Sequence, residues 1–287
     1  MKDIPIRKIN KAGKKWTFSE SFNIRKVEEL LNGKNLVHQL HRHDFFFILA
    51  LNKGEGIHEI DFARYDVHDN STFIIRPGQV HKLELQHDCT GFLMEFAPIF
   101  YQPTANLSTQ RLNRASEKNL CEMEAARQQK LLSILLYIFN EFTEKSEGYI
   151  DVIKANLEIF FIEFIRQSRN TNGSSKEISP YSQERLEEFL NMLRTHVATH
   201  KQVSKYAGML NLSVYQLNAI TKATIAKPAS ELINEQIVLE AKRYLLATPY
   251  QVKDIADHLG YEDMSYFIRF FKKHTNYTPE AFRRNSR

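Results

Sequence analysis

The stretch Gln251-Val-Lys-Asp-Ile-Ala-Asp-His-Leu-Gly-Tyr-Glu-Asp-Met-Ser-Tyr-Phe-Ile-Arg-Phe-Phe-Lys-Lys273 predicts two short helices joined by a tight turn. Its first apolar residues recur at the spacing of one helix face, namely Val252, Ile255, Ala256 and Leu259. Gly260 then ends the helix, because glycine adopts a positive φ without steric cost. Asp263 is placed to cap the second helix. We expect one face of that helix to pack on the first, through Phe267, Phe270, Phe271 and His274.

A second face of the same helix is polar and basic, and it is free to meet a partner. Its residues are Ser265, Tyr266, Arg269, Lys272 and Lys273. In a helix-turn-helix, the second helix enters the major groove of DNA. Arginine can donate two hydrogen bonds to guanine there, and lysines neutralise phosphates. These five residues are therefore candidate DNA contacts.

The same pattern occurs about fifty residues upstream, starting at Gln202-Val203. Ser213 and Gln216 form a capping box, which predicts that the second helix of this copy runs from Val214 to about Thr224. The candidate DNA contacts of this copy surround a buried Leu217 and are Tyr215, Asn218 and Lys222.

The upstream copy departs from the downstream one, so we expect unequal halves. Asn211 replaces the turn glycine, and Thr221 stands where the downstream copy has Phe271. Between the copies, Ala229 to Thr248 is predicted to form one helix that acts as a rigid spacer. We expect the downstream motif to be well formed by itself and the upstream one to depend on its neighbours.

Residues 182 to 287 resemble the DNA-binding domain of the AraC/XylS family of bacterial transcription regulators. The matching positions are Ile255-Ala256, Leu259-Gly260-Tyr261, Phe267, Arg269, Phe271-Lys272-Lys273, Thr278-Pro279, Phe282-Arg283 and Glu240-Ala241-Lys242-Arg243 to Leu246. Asn276, and Ala226 in the upstream copy, stand where the family usually has glycine. The resemblance implies sequence-specific binding of double-stranded DNA and activation of transcription by contact with RNA polymerase.

The N-terminal third has short β-rich runs separated by turns, which is typical of a small barrel or sandwich. The predicted strands are Phe45 to Leu51, Gly56 to Phe62, Thr72 to Arg76, Val80 to Leu85 and Gly91 to Phe96. His41-x-His43, Gly54 and Pro77-Gly78-Gln79-Val80-His81 resemble the two motifs of cupin barrels, over about residues 35 to 97. Barrels of this kind are the sensor domains of many AraC-like regulators.

Four residues of this barrel are candidates for a ligand pocket. Where cupin enzymes have a metal-binding glutamate, this chain has Phe47. His41, His43 and His81 could still hold zinc or iron through three nitrogens. Alternatively, they point into the barrel or cap its mouth by hydrogen bonding. The apolar ring at position 47 favours a small-molecule pocket, so we assign all four residues to that pocket and expect no cofactor or metal.

Two helices are predicted after the barrel, Glu117 to Lys145 and Tyr149 to Ser168, joined at Gly148. Apolar residues on several of their faces suggest a homodimer. Residues 169 to 181 are polar and predict a linker. The expected fold class is two-domain α+β, with a sensor and dimerisation domain over 1–168 and an all-α double helix-turn-helix domain over 182–287.

Composition agrees with a DNA-binding regulator. From Pro180 onward there are 15 Lys and Arg against 11 Asp and Glu, a balance of +4, whereas the whole chain has a net charge of +5. The two cysteines, Cys89 and Cys121, have no metal-ligand spacing. With no secretory signal or membrane span visible, we expect a cytoplasmic protein.

The sequence thus predicts a ligand-responsive regulator that is not an enzyme, with DNA, a small-molecule effector and RNA polymerase as partners and no membrane. One alternative is a metal-dependent cupin enzyme fused to an accessory DNA-binding domain. Another is an architectural DNA-binding protein without an effector.

Overall fold

The computed structural model describes residues 6–7, 21–101, 106–169 and 179–285. These residues form two compact units, one containing the described residues up to 169 and the other those from 179 onward. The predicted linker at 169–181 lies almost entirely outside the described residues. Within the described ranges, no helix is long and apolar enough to cross a membrane.

The first unit is built on two five-stranded sheets. One sheet has the strand order β1-β3-β8-β5-β6, and the other has β10-β7-β4-β9-β2. The strands are β1 (Ile6–Arg7), β2 (Phe22–Lys26), β3 (Leu36–His43), β4 (Phe46–Lys53), β5 (Gly56–Ile60), β6 (Ala63–Val67), β7 (Ser71–Ile75), β8 (Val80–Leu85), β9 (Thr90–Phe96) and β10 (Leu120–Glu122). Every pair is antiparallel except β1 with β3. Apolar residues of both sheets share one inner core, which makes this unit the predicted barrel.

Strand β4 lies between two apolar cores, which explains why its residues 46–51 are all apolar. Successive side chains of a strand point to opposite faces of the sheet. Phe47, Leu49 and Leu51 belong to the inner core, whereas Phe46 and Ile48 belong to a second core on the outer face of the sheet. Both faces of β4 are therefore buried.

The outer face is covered by helices of the same unit. The helices that contribute to the second core are α2 (Asn106–Ala115), α3 (Ala125–Glu144) and α4 (Tyr149–Arg169), whereas the buried residues of α1 (Val27–Leu31) belong to the inner core. Leu135 of α3 and Phe161 of α4 are fully buried in this second core. Gln128 adds a polar link, because its Nε2 donates to the Leu51 carbonyl oxygen at 2.9 Å and its Oε1 accepts from the Thr72 hydroxyl at 3.1 Å.

The predicted strands agree with the structure within two residues at each end. The prediction of a helix starting at Glu117 is wrong, because that helix starts at Ala125 and the preceding residues Leu120–Glu122 form strand β10. Strand β10 pairs with β7, and Cys121 is buried. Backbone pairing at the open edge of the sheet outweighs the local helical pattern.

The second unit is all α. Its helices are α5 (Pro180–His196), α6 (Val203–Met209), α7 (Val214–Ile225), α8 (Ala229–Ala247), α9 (Val252–His258), α10 (Met264–Thr275) and α11 (Pro279–Asn285). The capping box of Ser213 and Gln216 is confirmed at the start of α7, and Asp263 caps α10 by accepting from the Ser265 amide at 2.7 Å. One core joins all of these helices except α11, whose Phe282 packs against it.

The turn residues behave alike in the two motifs. Gly260 has a φ of 69°, and Asn211 at the equivalent turn has a φ of 55°. Asn276 after α10 and Ala226 after α7 are also left-handed. The replacement of glycine by Asn211 therefore leaves the turn geometry intact, since asparagine tolerates this conformation.

Sequence reasoning missed helix α5, which completes the upstream motif. Phe189 of α5 is fully buried and lies edge-on to Tyr206 of α6, with ring centroids 5.5 Å apart. Thr221, which replaces the aromatic residue of the downstream copy, is also fully buried. The upstream core thus contains aromatic rings from α5 and α6 instead of one from α7.

Candidate nucleic-acid interface and histidine cluster

Helix α10 presents a continuous exposed face made of the five predicted DNA contacts. Because each residue of an α-helix is rotated by about 100° from the last, these five side chains cover an arc of about 120°. All of them are exposed: Ser265, Tyr266, Arg269, Lys272 and Lys273. Phe267 and Phe271 lie on the opposite side and are fully buried. Anchoring by these two rings therefore holds the basic face outward.

The buried face of α10 is narrower than the packing face predicted from the sequence. Phe270 is only half-buried, and it contacts the rings of Tyr261 and His274. His274 is exposed, so its assignment to the packing face is wrong. Phe270 and His274 instead lie at the edge of the buried stripe.

Arg269 is held only loosely. Its side chain is 71% exposed and its Nη2 lies 4.0 Å from the Asp263 carboxylate. An exposed ion pair of this length contributes little to stability. The guanidinium can therefore exchange this partner for a base edge or a phosphate.

The exposed face of α7 is smaller and carries less charge. Tyr215 is 83% exposed and Lys222 is exposed, while Leu217 on the opposite side is fully buried. The other exposed residues between them are not basic: Gln216 and Ala219. This face offers one cation, whereas the α10 face offers three.

Asn218, the third predicted contact of α7, is committed to contacts inside the unit. Asn218 is half-buried, and its Nδ2 donates to the Val214 carbonyl oxygen at 3.0 Å. Its Oδ1 accepts from the backbone amide of Ala229 at 3.0 Å, at the start of α8. The first amides of a helix have no partner within the helix. Asn218 therefore ties α7 to the spacer helix α8.

The turn of the downstream motif contacts the segment between α5 and α6. A Cβ atom on Gly260 would lie 2.0 Å from the Ala198 carbonyl oxygen, so only glycine allows this approach. The Lys201 ammonium donates to Ala198 O at 3.1 Å and to Gly260 O at 2.9 Å. It also lies 4.8 Å from the centroid of the Tyr261 ring. Lys201 thereby joins the two helix-turn-helix motifs directly.

A cluster of histidines lies on the inner face of the barrel. His41 and His81 are opposite each other in β3 and β8, and a shift in strand register lies between His38 and His41. His43 is on the same face of β3 as His41 because it is two residues further along. His58 of β5 is two residues from Ile60, which pairs with His81, so His58 is also on this face. Apart from His38, these side chains are almost completely buried.

Hydrogen bonds connect the rings of this cluster. His43 Nε2 and His81 Nε2 are 2.6 Å apart, and His81 Nδ1 is 2.9 Å from His58 Nε2. His41 Nδ1 is 2.6 Å from the Gln39 carbonyl oxygen. The ligand nitrogens of His41, His43 and His81 all lie within 4.8 Å of one another.

All of the imidazoles in this group are uncharged at neutral pH. Burial lowers the pKa of His38 and of His41 to about 4, and that of His43 to about 2. It lowers the pKa of His58 to about 3, and the pKa of His81 lies well below its ordinary value for the same reason. Each imidazole therefore has one ring nitrogen with a free lone pair.

Phe47 lies next to the histidines, as the sequence predicted, and is buried. Its ring is stacked on that of His43 with centroids 5.5 Å apart, and it is 5.2 Å from that of His81. All four predicted pocket residues therefore lie together. Among the described residues, the cluster contains imidazoles but neither a carboxylate nor a thiolate.

Both units match known families. Residues 31–147 match the model of the AraC-like ligand binding domain, and residues 206–285 match a helix-turn-helix domain model. The chain is 24% identical over 247 residues to the HTH-type transcriptional activator RhaS of Escherichia coli O157:H7, covering 85% of this chain and 86% of that protein.

The chain belongs to the AraC/XylS family of transcription regulators. RhaS of Klebsiella pneumoniae (strain 342) is also 24% identical, over 244 residues, covering 85% of this chain and 86% of that protein. Among solved structures, ToxT from Vibrio cholerae O395 is 15% identical, covers 92% of this chain and 97% of that one, and gives a TM-score of 0.42. Because its two units match the AraC-like ligand binding domain and a helix-turn-helix domain, this AraC/XylS chain is a ligand-responsive, DNA-binding regulator, and the family favours that function over the enzyme alternative.

Three residues of this AraC/XylS protein make long-range contacts that the sequence did not predict. Lys201 bridges the two motifs although it lies outside both helical patterns. His58 joins the histidine cluster from a strand whose sequence carries no cupin motif. Arg283 was noted only as a family match, yet it donates to the carbonyls of Leu245 and Tyr250 and so holds α11 against the end of α8. Long-range contacts of this kind leave no local signal in a single sequence.

The variant Lys201→Met tests the bridge between the motifs. Methionine keeps most of the alkyl volume but removes the ammonium that binds two carbonyl oxygens. A hydrogen bond to a charged group contributes about 1.5–3 kcal/mol to stability. We therefore expect the variant to lose about 1–3 kcal/mol in the free energy of unfolding of this unit. Thermal and urea unfolding measure this loss.

The matched control is Lys205→Met, which changes an exposed lysine of the neighbouring helix α6. We expect its stability to stay within about 0.5 kcal/mol of the wild type. Equal stability of the two variants would show that the hydrogen bonds of Lys201 do not stabilise this unit.

Proposed function

We propose that this regulator activates transcription as a cytoplasmic homodimer, contacting DNA through α10 and α7 and RNA polymerase through its DNA-binding unit. The observation that carries the proposal is the exposed basic face of α10, with Arg269 at its centre and two buried phenylalanines behind it. An exposed arginine on such a helix suits bidentate contact with a guanine in the major groove. The activator role is supported by relatives that are named transcriptional activators and cover 85% of this chain.

The two motifs have different roles in this proposal. The α10 face carries Arg269, Lys272 and Lys273, so it supplies both base recognition and phosphate neutralisation. On α7, Tyr215 is the main candidate for a base contact and Lys222 for a phosphate contact. Asn218 acts mainly by positioning α7 on the spacer helix, through its bond to the Ala229 amide.

The barrel is the proposed effector site, with His41, His43, Phe47 and His81 at its centre. A ligand there can change DNA binding only if it binds one arrangement of the protein better than another. Strand β4 offers a route, because its inner side chains face the histidines and its outer ones contact the helices α3 and α4. A shift of β4 would therefore change the packing of the helical hairpin formed by α3 and α4.

No catalytic role is proposed for the barrel. Phe47 occupies the position where cupin enzymes have a carboxylate, and its ring fills space beside His43 and His81. An architectural DNA-binding protein without an effector would show the same DNA affinity across a panel of metabolites. A change in operator affinity with one of them supports the regulator instead.

The proposed dimer interface is the outer face of the hairpin. Leu136 and Tyr137 of α3 and Ile159 of α4 are large apolar residues that are about half exposed. Their neighbours on the inward side, Leu135 and Ile138, are fully buried. Large apolar groups that are exposed among the described residues favour association with a second copy.

The variant Arg269→Ala tests base recognition by α10. We expect it to cost about 1–3 kcal/mol on a specific site and to relax the preference at one base position. Selection of bound DNA from random sequence, for wild type and variant, measures both effects. The control is Arg64→Ala, an equally exposed arginine of the barrel that also lies beside an aspartate. An unchanged base preference in the Arg269→Ala variant would refute the assignment.

The variant Lys272→Ala tests phosphate contact. Neutralising one phosphate fewer should weaken binding to all sequences and reduce the slope of log K against log salt by about one. Binding titrations at several salt concentrations give the slope. The control is Lys34→Ala, an exposed lysine of the barrel unit, for which the wild-type slope is expected. A wild-type slope for Lys272→Ala would argue against the contact.

The double variant Leu136→Glu with Tyr137→Glu tests the dimer interface. Like charges brought together at an interface are unfavourable, so we expect a monomer at concentrations where the wild type is dimeric. Sedimentation equilibrium measures the mass. The control is Ile99→Glu, which places the same charge at another half-exposed apolar residue of this unit. If the wild type is a monomer, or the double variant stays a dimer, this interface is wrong.

A further inference from the structure

We propose that His41, His43 and His81 form a binding site for a divalent transition-metal ion of the zinc class inside the barrel. The inference concerns the histidines that the proposed function places at the centre of the effector site, and it adds a metal ion as a ligand held there, whether or not the chain binds DNA. It rests on three features of the cluster: the proximity of the ring nitrogens, the hydrogen bond that leaves His41 Nε2 free, and the lack of a partner for this buried nitrogen.

The proximity of the nitrogens suits one ion. The ligand atoms of the three histidines lie within 4.8 Å of one another, and the closest pair is 2.6 Å apart. A tetrahedral zinc ion with bonds of about 2.0–2.1 Å places its ligand atoms roughly 3.3 Å apart. The measured distances lie on both sides of this value. Rotation of the rings about their side-chain bonds would be needed to bring all three nitrogens to the ion.

The tautomer of His41 follows from its hydrogen bond. A carbonyl oxygen can only accept, so His41 Nδ1 carries the proton that it donates to Gln39 O at 2.6 Å. Neutral His41 therefore has its lone pair on Nε2. This nitrogen is buried and has no hydrogen-bond partner. A free, buried Nε2 opposite a bonded Nδ1 is the arrangement that metal-binding histidines use.

His58 can play the same supporting role for His81. His81 Nδ1 lies 2.9 Å from His58 Nε2, and His81 Nε2 lies 2.6 Å from His43 Nε2, so one of these two Nε2 atoms carries the proton of that bond. An ion would replace the bond between the two Nε2 atoms, and its proton would move to the Nδ1 of the same ring. The chain of rings ends in two buried nitrogens that have no partner, His43 Nδ1 and His58 Nδ1, and an ion on the Nε2 atoms would not contact either of them. An unpaired buried polar atom costs free energy.

The chemistry of the ligands favours zinc over calcium or magnesium. Neutral imidazole suits zinc, copper, iron and nickel, whereas calcium and magnesium require oxygen ligands. A histidine binds a metal ion through a ring nitrogen that carries no proton.

The test uses the full chain without a polyhistidine tag, produced in medium supplemented with zinc. Elemental analysis should find one zinc per chain. The variants His41→Phe, His43→Phe and His81→Phe each keep a ring but lose the ligand, and we expect zinc affinity to fall at least tenfold in each. The variant His87→Phe is the control, because His87 is exposed and outside the cluster, and it should retain the zinc.

Wild-type protein without stoichiometric zinc would overturn the site, and so would cluster variants that retain zinc as well as the control does, since the ion would then bind elsewhere. Should the variants fail to fold, cobalt added to the wild-type protein gives an independent readout. Visible bands of tetrahedral cobalt bound by imidazole support the site, and their absence refutes it. Operator binding is measured on the same samples. Specific DNA binding without zinc would refute this inference alone, whereas zinc binding without specific DNA binding would refute the proposed function alone.

Discussion

Burial of strand β4 on both faces is the constraint on which the sensor unit depends. Phe47 and Leu49 complete the core between the two sheets, while Phe46 and Ile48 complete the core under the helical hairpin. Neither core can close without this strand, because the apolar groups on each side would remain in water. The polar contacts of Gln128 to Leu51 and Thr72 then hold α3 at a defined position on the sheet. The same strand therefore borders both the histidine cluster and the buried side of the helical hairpin.

The DNA-binding unit depends on a comparable close contact. Gly260 ends the first helix of the downstream motif, and its missing side chain lets the Ala198 carbonyl approach. Lys201 adds two hydrogen bonds across this junction, and Asn218 and Arg283 fix the two ends of the spacer helix α8. The motifs are thus connected by contacts as well as by the spacer. The downstream motif uses these contacts too, so its independence remains a prediction.

Much of this organisation could be predicted because it is local. Helix periodicity, the Ser213 capping box and the glycine turn depend on residues a few positions apart, and the structure confirms each of them. The strands around Phe47 were also predicted, since continuous apolar runs bounded by turns are typical of buried strands. Strand β10 and helix α5 were missed, because an edge strand and a supporting helix are stabilised by partners far away in the chain.

The sequence by itself determined the family, the two-domain order and the outward position of Arg269 and Lys272, because spacing along a helix decides which side chains share a face. Only the tertiary structure decided that Asn218 bonds to the spacer helix and that His58 supports His81. It also brought the ring nitrogens of the histidines within reach of one ion. These contacts join residues of different strands or helices, and their geometry is set by sheet register and core packing, which no short stretch of sequence encodes.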